Sequence, residues 1–269
     1  MKFEGFSAPM GRRSRALWRR ADGIRPTGYF PSPAILADPT PAHPDSVDTV
    51  RGMIAAVVFD LDGVLVDSEA VWDEARRALV ADRGGTWRDD ATRAMMGMSS
   101  LEWSRYVREE LGVAMEPEAI SAAVVAELER RYRRRLPLID GAREAVERLA
   151  DAWPLGLASS SNREIIDLVL DESGLADRFA AAVSSEEVGA GKPAPDVYLE
   201  AARRLGVEPG RCAAVEDSSN GLRSAAAAGM RVIAIPHAAF PPDPDALALA
   251  DLVLDSIAAL DAATVAAVA

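Results

Sequence analysis

Polar and charged residues that could carry chemistry stand directly after, or close to, short apolar runs of this sequence. They are Asp60 with Asp62, Ser159 followed by Ser160 and Asn162, Lys192, and Glu216 with Asp217. Side chains two residues apart in an extended chain project in the same direction, so we expect Asp60 and Asp62 to point the same way. Gly63 lets the chain turn away sharply after them. Taken alone, this Asp-x-Asp-Gly sequence is equally consistent with an ordinary acidic turn.

Glu216 and Asp217 form a second acidic pair at the end of another apolar run. Acids buried beside two further acids are costly unless a cation joins them. Magnesium prefers such hard oxygen ligands while it keeps several of its waters. An acidic turn explains one such cluster, but it explains two at successive strand ends poorly. The two pairs together therefore predict a bound Mg²⁺.

Ser159, Ser160 and Asn162 lie between an apolar run and a helical pattern. A hydroxyl at that point, together with the free amide groups of the helix start, forms a natural cradle for phosphate. A serine that caps the helix without binding any ligand is the alternative, and it is the better explanation of this segment in isolation.

Lys192 lies in a proline-flanked loop, and the only other lysine of the 269 residues is Lys2. Arginine supplies all the other basic side chains, so a lysine here stands out. A lysine offers a compact charge that can balance both a carboxylate and a phosphoryl oxygen. The alternative is a solvated lysine without a partner.

The elements that must position these residues follow from the apolar pattern. Apolar runs predict strands at residues 54–59, 155–159, 181–184, 212–216 and 232–236, with a possible sixth at 252–254. Helical patterns lie between most of them. Continuous apolar strands that alternate with helices indicate a parallel sheet covered on both faces, that is, a doubly wound, Rossmann-like α/β fold.

One segment interrupts this alternation. Residues 67–138 contain no convincing strand, but they carry helical patterns at 70–81, 101–111 and 119–134. We interpret 67–138 as a helical insertion that stands over the carboxyl edge of the sheet and acts as a cap. The α/β core then comprises residues 53–66 and 139–269. Residues 1–52 are rich in proline and lack periodicity, and we predict a disordered extension there.

Composition excludes several classes of function. The net charge of −12 disfavours nucleic acid or anionic membrane as the main partner, and no apolar run approaches twenty residues. The single cysteine, Cys212, excludes an internal disulfide and is expected to be a buried core thiol. These features fit a cytoplasmic enzyme, which we expect to be a monomer or weak homodimer.

The combination of these residues resembles the haloacid dehalogenase-like superfamily. Its four motifs occur here in order as Asp60-x-Asp62, Ser159, Lys192 and Glu216-Asp217, and the resemblance covers about residues 53 to 255. The chain is similar to the subgroup with a helical cap after the first strand, which includes β-phosphoglucomutase and sugar-phosphate phosphatases.

The resemblance implies a role for each motif residue. Asp60 would be the nucleophile that forms an aspartyl-phosphate, and Asp62 the general acid and then base. Mg²⁺ would be held by Asp60, the backbone carbonyl of Asp62 and Asp217, with Glu216 as a further ligand or as a supporting partner. Ser159 and Lys192 would bind phosphoryl oxygens, assisted by Ser160 and Asn162.

The predicted activity is the Mg²⁺-dependent hydrolysis of a small phosphorylated metabolite, such as a sugar or polyol phosphate. Asp62 argues against dehalogenation, because a halide needs no proton on leaving. A phosphomutase is the alternative, but Trp72 stands where β-phosphoglucomutase has a cap histidine, and residues 95–100 lack the basic residues of its cap loop. A phosphate-binding module without activity is a third possibility.

The cap must also contact the rest of the substrate. Its candidates are Trp72, Met96, Met98 and Trp103, although ordinary packing within the cap would explain each of them equally well.

Overall fold

The computed structural model describes residues 53–96 and 98–269, so the predicted N-terminal extension lies outside the described residues. Within them, parallel strands form a sheet in the order β3-β2-β1-β4-β5-β6. The strands are β1 Ala56–Phe59, β2 Leu155–Ser159, β3 Phe179–Ser184, β4 Cys212–Glu216, β5 Arg231–Ala234 and β6 Leu252–Val253. This order is that of a doubly wound sheet, which confirms the predicted fold class.

Helices cover both faces of the sheet because the strands are apolar on both sides. Along β1, Val57 and Phe59 belong to one buried cluster, whereas Ala56 and Val58 belong to another. Helices α5 (Ala142–Ala150) and α6 (Arg163–Ser173) pack in the first cluster, and α7 (Asp196–Leu205) and α8 (Ser219–Ala227) pack in the second. Cys212 is buried in the second cluster, as predicted.

Further helices lie between β1 and α5. They are α1 Glu69–Asp82, α2 Ala91–Met95, α3 Ser100–Glu109 and α4 Pro117–Tyr132. Three of these were predicted within a few residues, and the short α2 was not. We call residues 69–132 the helical segment. Its buried side chains, such as Trp103 and Leu128, continue the first core cluster.

The two connections to the helical segment run side by side. Asp67 N–H donates to Pro137 O at 2.8 Å, and Ile139 N–H donates to Leu65 O at 2.9 Å. The chain therefore leaves and rejoins the core at one place, next to the predicted boundaries at 67 and 138. That the helical segment is a domain of its own stays a prediction.

Two short helices complete the C-terminal part, α9 (Pro244–Leu247) and α10 (Ala262–Ala266). Among the described residues, none of the helices combines the length and the hydropathy that crossing a bilayer requires.

We expect Leu157→Ala on β2 to lower the free energy of unfolding by about 3 kcal/mol, because it leaves a cavity in a close-packed core. Leu157 is fully buried, whereas Leu199 on α7 is 41% exposed. Leu199→Ala is therefore the matched control and should change stability little. Urea unfolding of both variants measures the difference. Equal losses would contradict this description of the core.

Candidate active site

The site is assembled where adjacent strands end. β1 lies between β2 and β4, with Phe59 paired to Leu157 on one side and to Val215 on the other. The residues that follow these positions, Asp60 and Glu216 among them, therefore emerge at the same edge of the sheet. Parallel strands of doubly wound folds bind ligands at this carboxyl edge.

Lys192 lies at the centre of the buried acids. Its Nζ is 2.9 Å from Asp60 Oδ1 and 2.6 Å from Glu216 Oε1. Lys192 is 3% exposed, and its ammonium group also lies 5.1 Å from the centroid of the Tyr198 ring. The alternative of a solvated lysine is thus wrong.

The close approach of these carboxyl groups changes their proton affinities. Burial, followed by the charge of Glu216, raises the pKa of Asp60 to about 8, although Lys192 opposes the shift. Burial and the charges of Glu216 and Asp60 likewise raise the pKa of Asp217 well above its usual range. Burial alone would lower the pKa of Lys192, but Asp60 and Glu216 raise it above its usual value. Lys192 therefore stays protonated, but its single charge does not keep all three acids ionised, and Asp60 is largely protonated at neutral pH unless a further cation binds.

The acids fit a bound divalent cation. Carboxylate oxygens of Asp60, Glu216 and Asp217 lie within 4.8 Å of one another. Asp217 Oδ1 is buried and has no hydrogen-bond partner among the described residues. A Cβ at Gly63, where φ is +78°, would lie 2.0 Å from Asp217 Oδ2, so glycine is what allows this carboxylate to reach the site. The donor set consists of hard oxygens, which suits Mg²⁺.

Glu216 differs from the other two acids. Its carboxylate accepts hydrogen bonds from Lys192 Nζ, the Tyr198 hydroxyl (2.8 Å), the backbone N–H of Asp217 (3.1 Å), and both the N–H and the hydroxyl of Ser218. A Cβ at Gly221 would lie 1.9 Å from this carboxylate. Of the two roles left open by the sequence, this geometry favours a partner that fixes Lys192 over a direct metal ligand.

Asp62 lies between the core and the helical segment. Its Oδ1 accepts a hydrogen bond from Trp72 Nε1 at 3.1 Å, and its Oδ2 accepts one from the Ser161 hydroxyl at 2.6 Å. Both carboxylate oxygens of Asp62 therefore accept hydrogen bonds from donors outside the acid cluster, although Asp62 lines the same pocket. That its backbone carbonyl would hold a metal stays a prediction. Sequence reasoning missed Ser161, which stands two residues after Ser159.

The predicted phosphate-binding residues are not all placed together. Ser160 lines the same pocket as Asp60 and Lys192. Ser159 is fully buried, and its hydroxyl accepts the N–H of Ser161 at 2.9 Å. The Asn162 amide donates to Glu186 Oε1 at 2.7 Å.

Asn162 must be corrected as a candidate. Its side-chain amide also lies 3.4 Å from the Ser121 hydroxyl, and it lines a different groove, between α3, α4 and α6. Asn162 is the residue immediately before α6, and it does not line the pocket that contains Asp60. The geometry thus gives no support to phosphate binding by Asn162.

The helical segment closes the pocket above Asp60. The enclosed cavity is small, with a volume of about 50 Å³, so the helical segment packs closely over the acids. All four predicted contact residues of the segment line it, namely Trp72, Met96, Met98 and Trp103. The Asn220 amide donates to Met96 O at 3.3 Å, which joins α8 to the segment beside the pocket.

Sequence reasoning missed Glu69 and Arg76, which also line this pocket. The positions matched to a mutase hold no cation, but Arg76 brings one to the pocket from α1. The signal was available in the spacing, because Glu69, Trp72 and Arg76 recur at three and four residues and therefore share one face of α1.

His237 and the arginines at the end of α4 do not line the pocket. His237 lies 3.5 Å from Asp67 and stacks on Phe240, and His43 lies outside the described residues. The arginines at the end of α4 are paired with acids, since Arg131 contacts Glu74 and Glu127.

Comparison with known proteins identifies the family. A family model described as haloacid dehalogenase-like hydrolase matches residues 54–229. Hexitol phosphatase B of Escherichia coli (strain K12) is 36% identical over 223 residues, which cover 80% of this chain and 98% of the relative. The phosphorylated carbohydrates phosphatase of Thermotoga maritima is 33% identical and covers 68% of this chain and 85% of its own.

A solved structure is also similar. The crystal structure of CbbY from Rhodobacter sphaeroides in complex with phosphate has a TM-score of 0.69 and 28% identity, and the match covers 77% of this chain and 96% of that one. The chain therefore belongs to the haloacid dehalogenase-like hydrolase family, as its motifs predicted. The phosphatases among its relatives support the prediction that it is a phosphatase.

We expect Mg²⁺ to stabilise the protein more at high pH than at low pH. The folded pKa of Asp60, about 8, lies above its value in the unfolded chain. The folded state therefore binds extra protons, and the stability of the metal-free protein falls as pH rises from about 4 to about 8. Mg²⁺ needs the deprotonated carboxylates, so the gain in melting temperature should be larger near pH 8 than near pH 6.

Thermal melts with Mg²⁺ and with chelator measure this gain. Asp217→Asn should abolish most of it, whereas the control Asp243→Asn, an exposed acid outside the cluster, should retain it. A gain independent of pH and of Asp217 would show that Mg²⁺ binds elsewhere.

Proposed function

We propose that the protein is a Mg²⁺-dependent phosphatase that hydrolyses sugar or polyol phosphates through an aspartyl-phosphate on Asp60. One observation carries this proposal. The carboxylate of Asp60 is held by Lys192 at 2.9 Å beside Asp217, at the base of a pocket into which Asp62 also projects. This arrangement supports roles for Asp60 as the nucleophile, Asp62 as the acid–base group and Lys192 as a cation for the phosphoryl group.

In the first step a carboxylate oxygen of Asp60 attacks phosphorus. The new Asp60–phosphorus bond forms as the bond to the leaving oxygen breaks, and Asp62 delivers a proton to that oxygen. In the second step Asp62 takes a proton from water, whose oxygen attacks phosphorus and breaks the bond to Asp60. Inorganic phosphate and the free carboxylate of Asp60 result, so the protons balance over the two steps.

The other residues of the site position the phosphoryl group and neutralise its negative charge. Lys192 is fixed by Glu216 and can share its charge between Asp60 and a phosphoryl oxygen. Ser160 lines the pocket, and the Ser159 hydroxyl, which accepts the N–H of Ser161, retains a proton to donate. Asp60, Asp217 and the backbone carbonyl of Asp62 would hold Mg²⁺, which would supply positive charge between the carboxylates and the phosphate.

The charge of the pocket favours hydrolysis of a monophosphate over mutase chemistry. Among the described residues that line it, the acids are Asp60, Asp62, Glu69 and Asp217, and the basic residues are Arg76 and Lys192. Glu216, which pairs with Lys192, adds a further formal negative charge beside this set, so even a divalent cation would leave no excess positive charge in the pocket. A mutase must bind a second phosphate beside the first, which would add uncompensated negative charge. The names of the relatives, hexitol phosphatase B and phosphorylated carbohydrates phosphatase, also support the hydrolysis of sugar or polyol phosphates.

Some predictions stay predictions at this point. They are the cytoplasmic location and the oligomeric state, which we predict to be a monomer or a weak homodimer.

A module that binds phosphate without turnover is disfavoured by the intact set of Asp60, Asp62, Lys192 and Asp217.

We expect Asp60→Asn to reduce phosphate release by at least about 10³-fold, because the amide cannot serve as the nucleophile. The side chain keeps its size, so the thermal unfolding transition should remain cooperative. Asp82→Asn at the exposed end of α1 is the matched control and should leave turnover unchanged. Phosphate release with Mg²⁺ measures both. Turnover of Asp60→Asn within tenfold of the parent would reject Asp60 as the nucleophile.

We expect Asp62→Asn to slow alkyl phosphates far more than aryl phosphates, since only a poor leaving group needs a proton in the first step. Initial rates with hexyl phosphate and with p-nitrophenyl phosphate give the two losses. A ratio of losses of at least about tenfold is expected from the usual contribution of general acids. If both substrates slowed equally, Asp62 would not act chiefly as the acid.

A further inference from the structure

Arg76 is a buried cation that the proposed mechanism does not use. It is 7% exposed, and its Nε has no hydrogen-bond partner among the described residues. Burial lowers the pKa of Arg76 to about 10, which leaves it protonated at neutral pH. Its guanidinium lines the same pocket as Asp60 and Lys192. A buried guanidinium N–H without an acceptor is costly, so the place of Arg76 in the pocket calls for a function.

Aromatic rings hold the guanidinium in place. Its Cζ lies 4.7 Å from the centroid of the Trp72 ring and 4.8 Å from that of Trp103. Such contacts attract the cation but leave its N–H groups free at the edge of its plane. The two tryptophan rings thus hold the flat guanidinium group of Arg76, and its N–H groups remain able to donate to a ligand.

Glu69 supplies acceptors from the same face of α1. It also lines the pocket, two helical turns before Arg76. The two groups influence each other through charge, without a hydrogen bond between them. Burial raises the pKa of Glu69 to about 7, and the charge of Arg76 opposes this rise. A donor and an acceptor that face one cavity without pairing suit a ligand group that both accepts and donates.

A hydroxyl group is such a ligand, whereas a second anion is not. A hydroxyl can accept from Arg76 and donate to Glu69. A carboxylate or phosphate would pair with Arg76, but it would be repelled by Glu69 and by Asp62, whose negative charges both act on Arg76. The pair therefore matches the uncharged hydroxyl-bearing part of a sugar or polyol phosphate.

We propose that Arg76 and Glu69 bind hydroxyl groups of the leaving alcohol and make the enzyme specific for polyhydroxylated phosphate esters. This inference rests on the proposed function and deepens it. Met95, Met96 and Met98 surround the same space with apolar surface, so the two charged side chains provide the polar contacts to the alcohol from the helical segment.

The test compares two substrates of equal chain length, sorbitol 6-phosphate and hexyl phosphate, which lacks hydroxyl groups. The parent enzyme should prefer sorbitol 6-phosphate by at least about 100-fold in kcat/KM, because a site built for hydroxyls rejects an analogue without them. Arg76→Met should reduce this preference by about tenfold or more, the usual effect of losing a hydrogen bond to a charged group. Hexyl phosphate should lose much less activity.

Two further variants keep the test decisive. Arg77→Met, on the exposed side of the same helix where Arg77 pairs with Asp73, is the matched control and should keep the preference of the parent. Glu69→Gln preserves the size of the side chain and should also lower the preference, which covers the case in which Arg76→Met does not fold. Circular dichroism reports the folding of each variant.

Several outcomes would overturn the inference. Equal losses on both substrates in Arg76→Met would assign Arg76 a structural role. A parent preference for 6-phosphogluconate that Arg76→Met removes would make Arg76 an anion site instead.

Failure of the proposed function is separable from failure of this inference. If the parent hydrolysed neither these esters nor p-nitrophenyl phosphate with Mg²⁺, the phosphatase proposal would fail. Calorimetric titration of sorbitol 6-phosphate into Asp60→Asn, with and without Arg76→Met, would then still decide the inference. Equal affinities would reject the role of Arg76, and an affinity at least about tenfold weaker in the double variant would support it.

Discussion

The structure depends on the repulsion among Asp60, Glu216 and Asp217, whose carboxylates lie within 4.8 Å of one another at the edge of the sheet. Buried like charges raise each other's pKa values and destabilise the fold unless cations compensate them. Lys192 provides one such charge, and the hydrogen bonds to Glu216 spread the charge of one acid over backbone and side-chain donors. When Asp60 and Asp217 lose their protons, their carboxylates suit a divalent cation, and that cation would in turn attract a phosphoryl group.

The sheet makes this arrangement possible because its central strands are buried on both faces. Phe59, the last residue of β1, lies opposite Val215 of β4. The next residue of each strand is an acid, Asp60 or Glu216, so the two acids meet at the edge of the sheet without a long loop. Small residues then permit close approach. Gly63 admits Asp217, and Gly221 admits Glu216. Each glycine is therefore explained by the carboxylate that occupies the space of its missing Cβ.

Much of this could be predicted from the sequence, because buried parallel strands are continuous apolar runs. The strands 155–159 and 212–216 agree with the structure at both ends, and the motif residues Asp60, Lys192 and Asp217 do meet at one edge. Side-chain direction could not be predicted. Asn162 and Ser161 are adjacent, yet one turns to Glu186 and the other to Asp62. The short α2 was missed because five residues carry too little periodicity to be recognised.

Arg76 shows why the helical segment is harder to predict than the sheet edge. An arginine in a helix is usually a solvated residue, and Arg77 beside it is one. Only the packing of Trp72 and Trp103 buries Arg76 and turns it toward the pocket. Trp72 also donates to Asp62, which lies on the core side of the same pocket. Trp72 therefore contacts both Arg76, which we propose to bind the alcohol, and Asp62, which we propose to protonate it. Recognition of the alcohol and its protonation are thus linked through one tryptophan on α1.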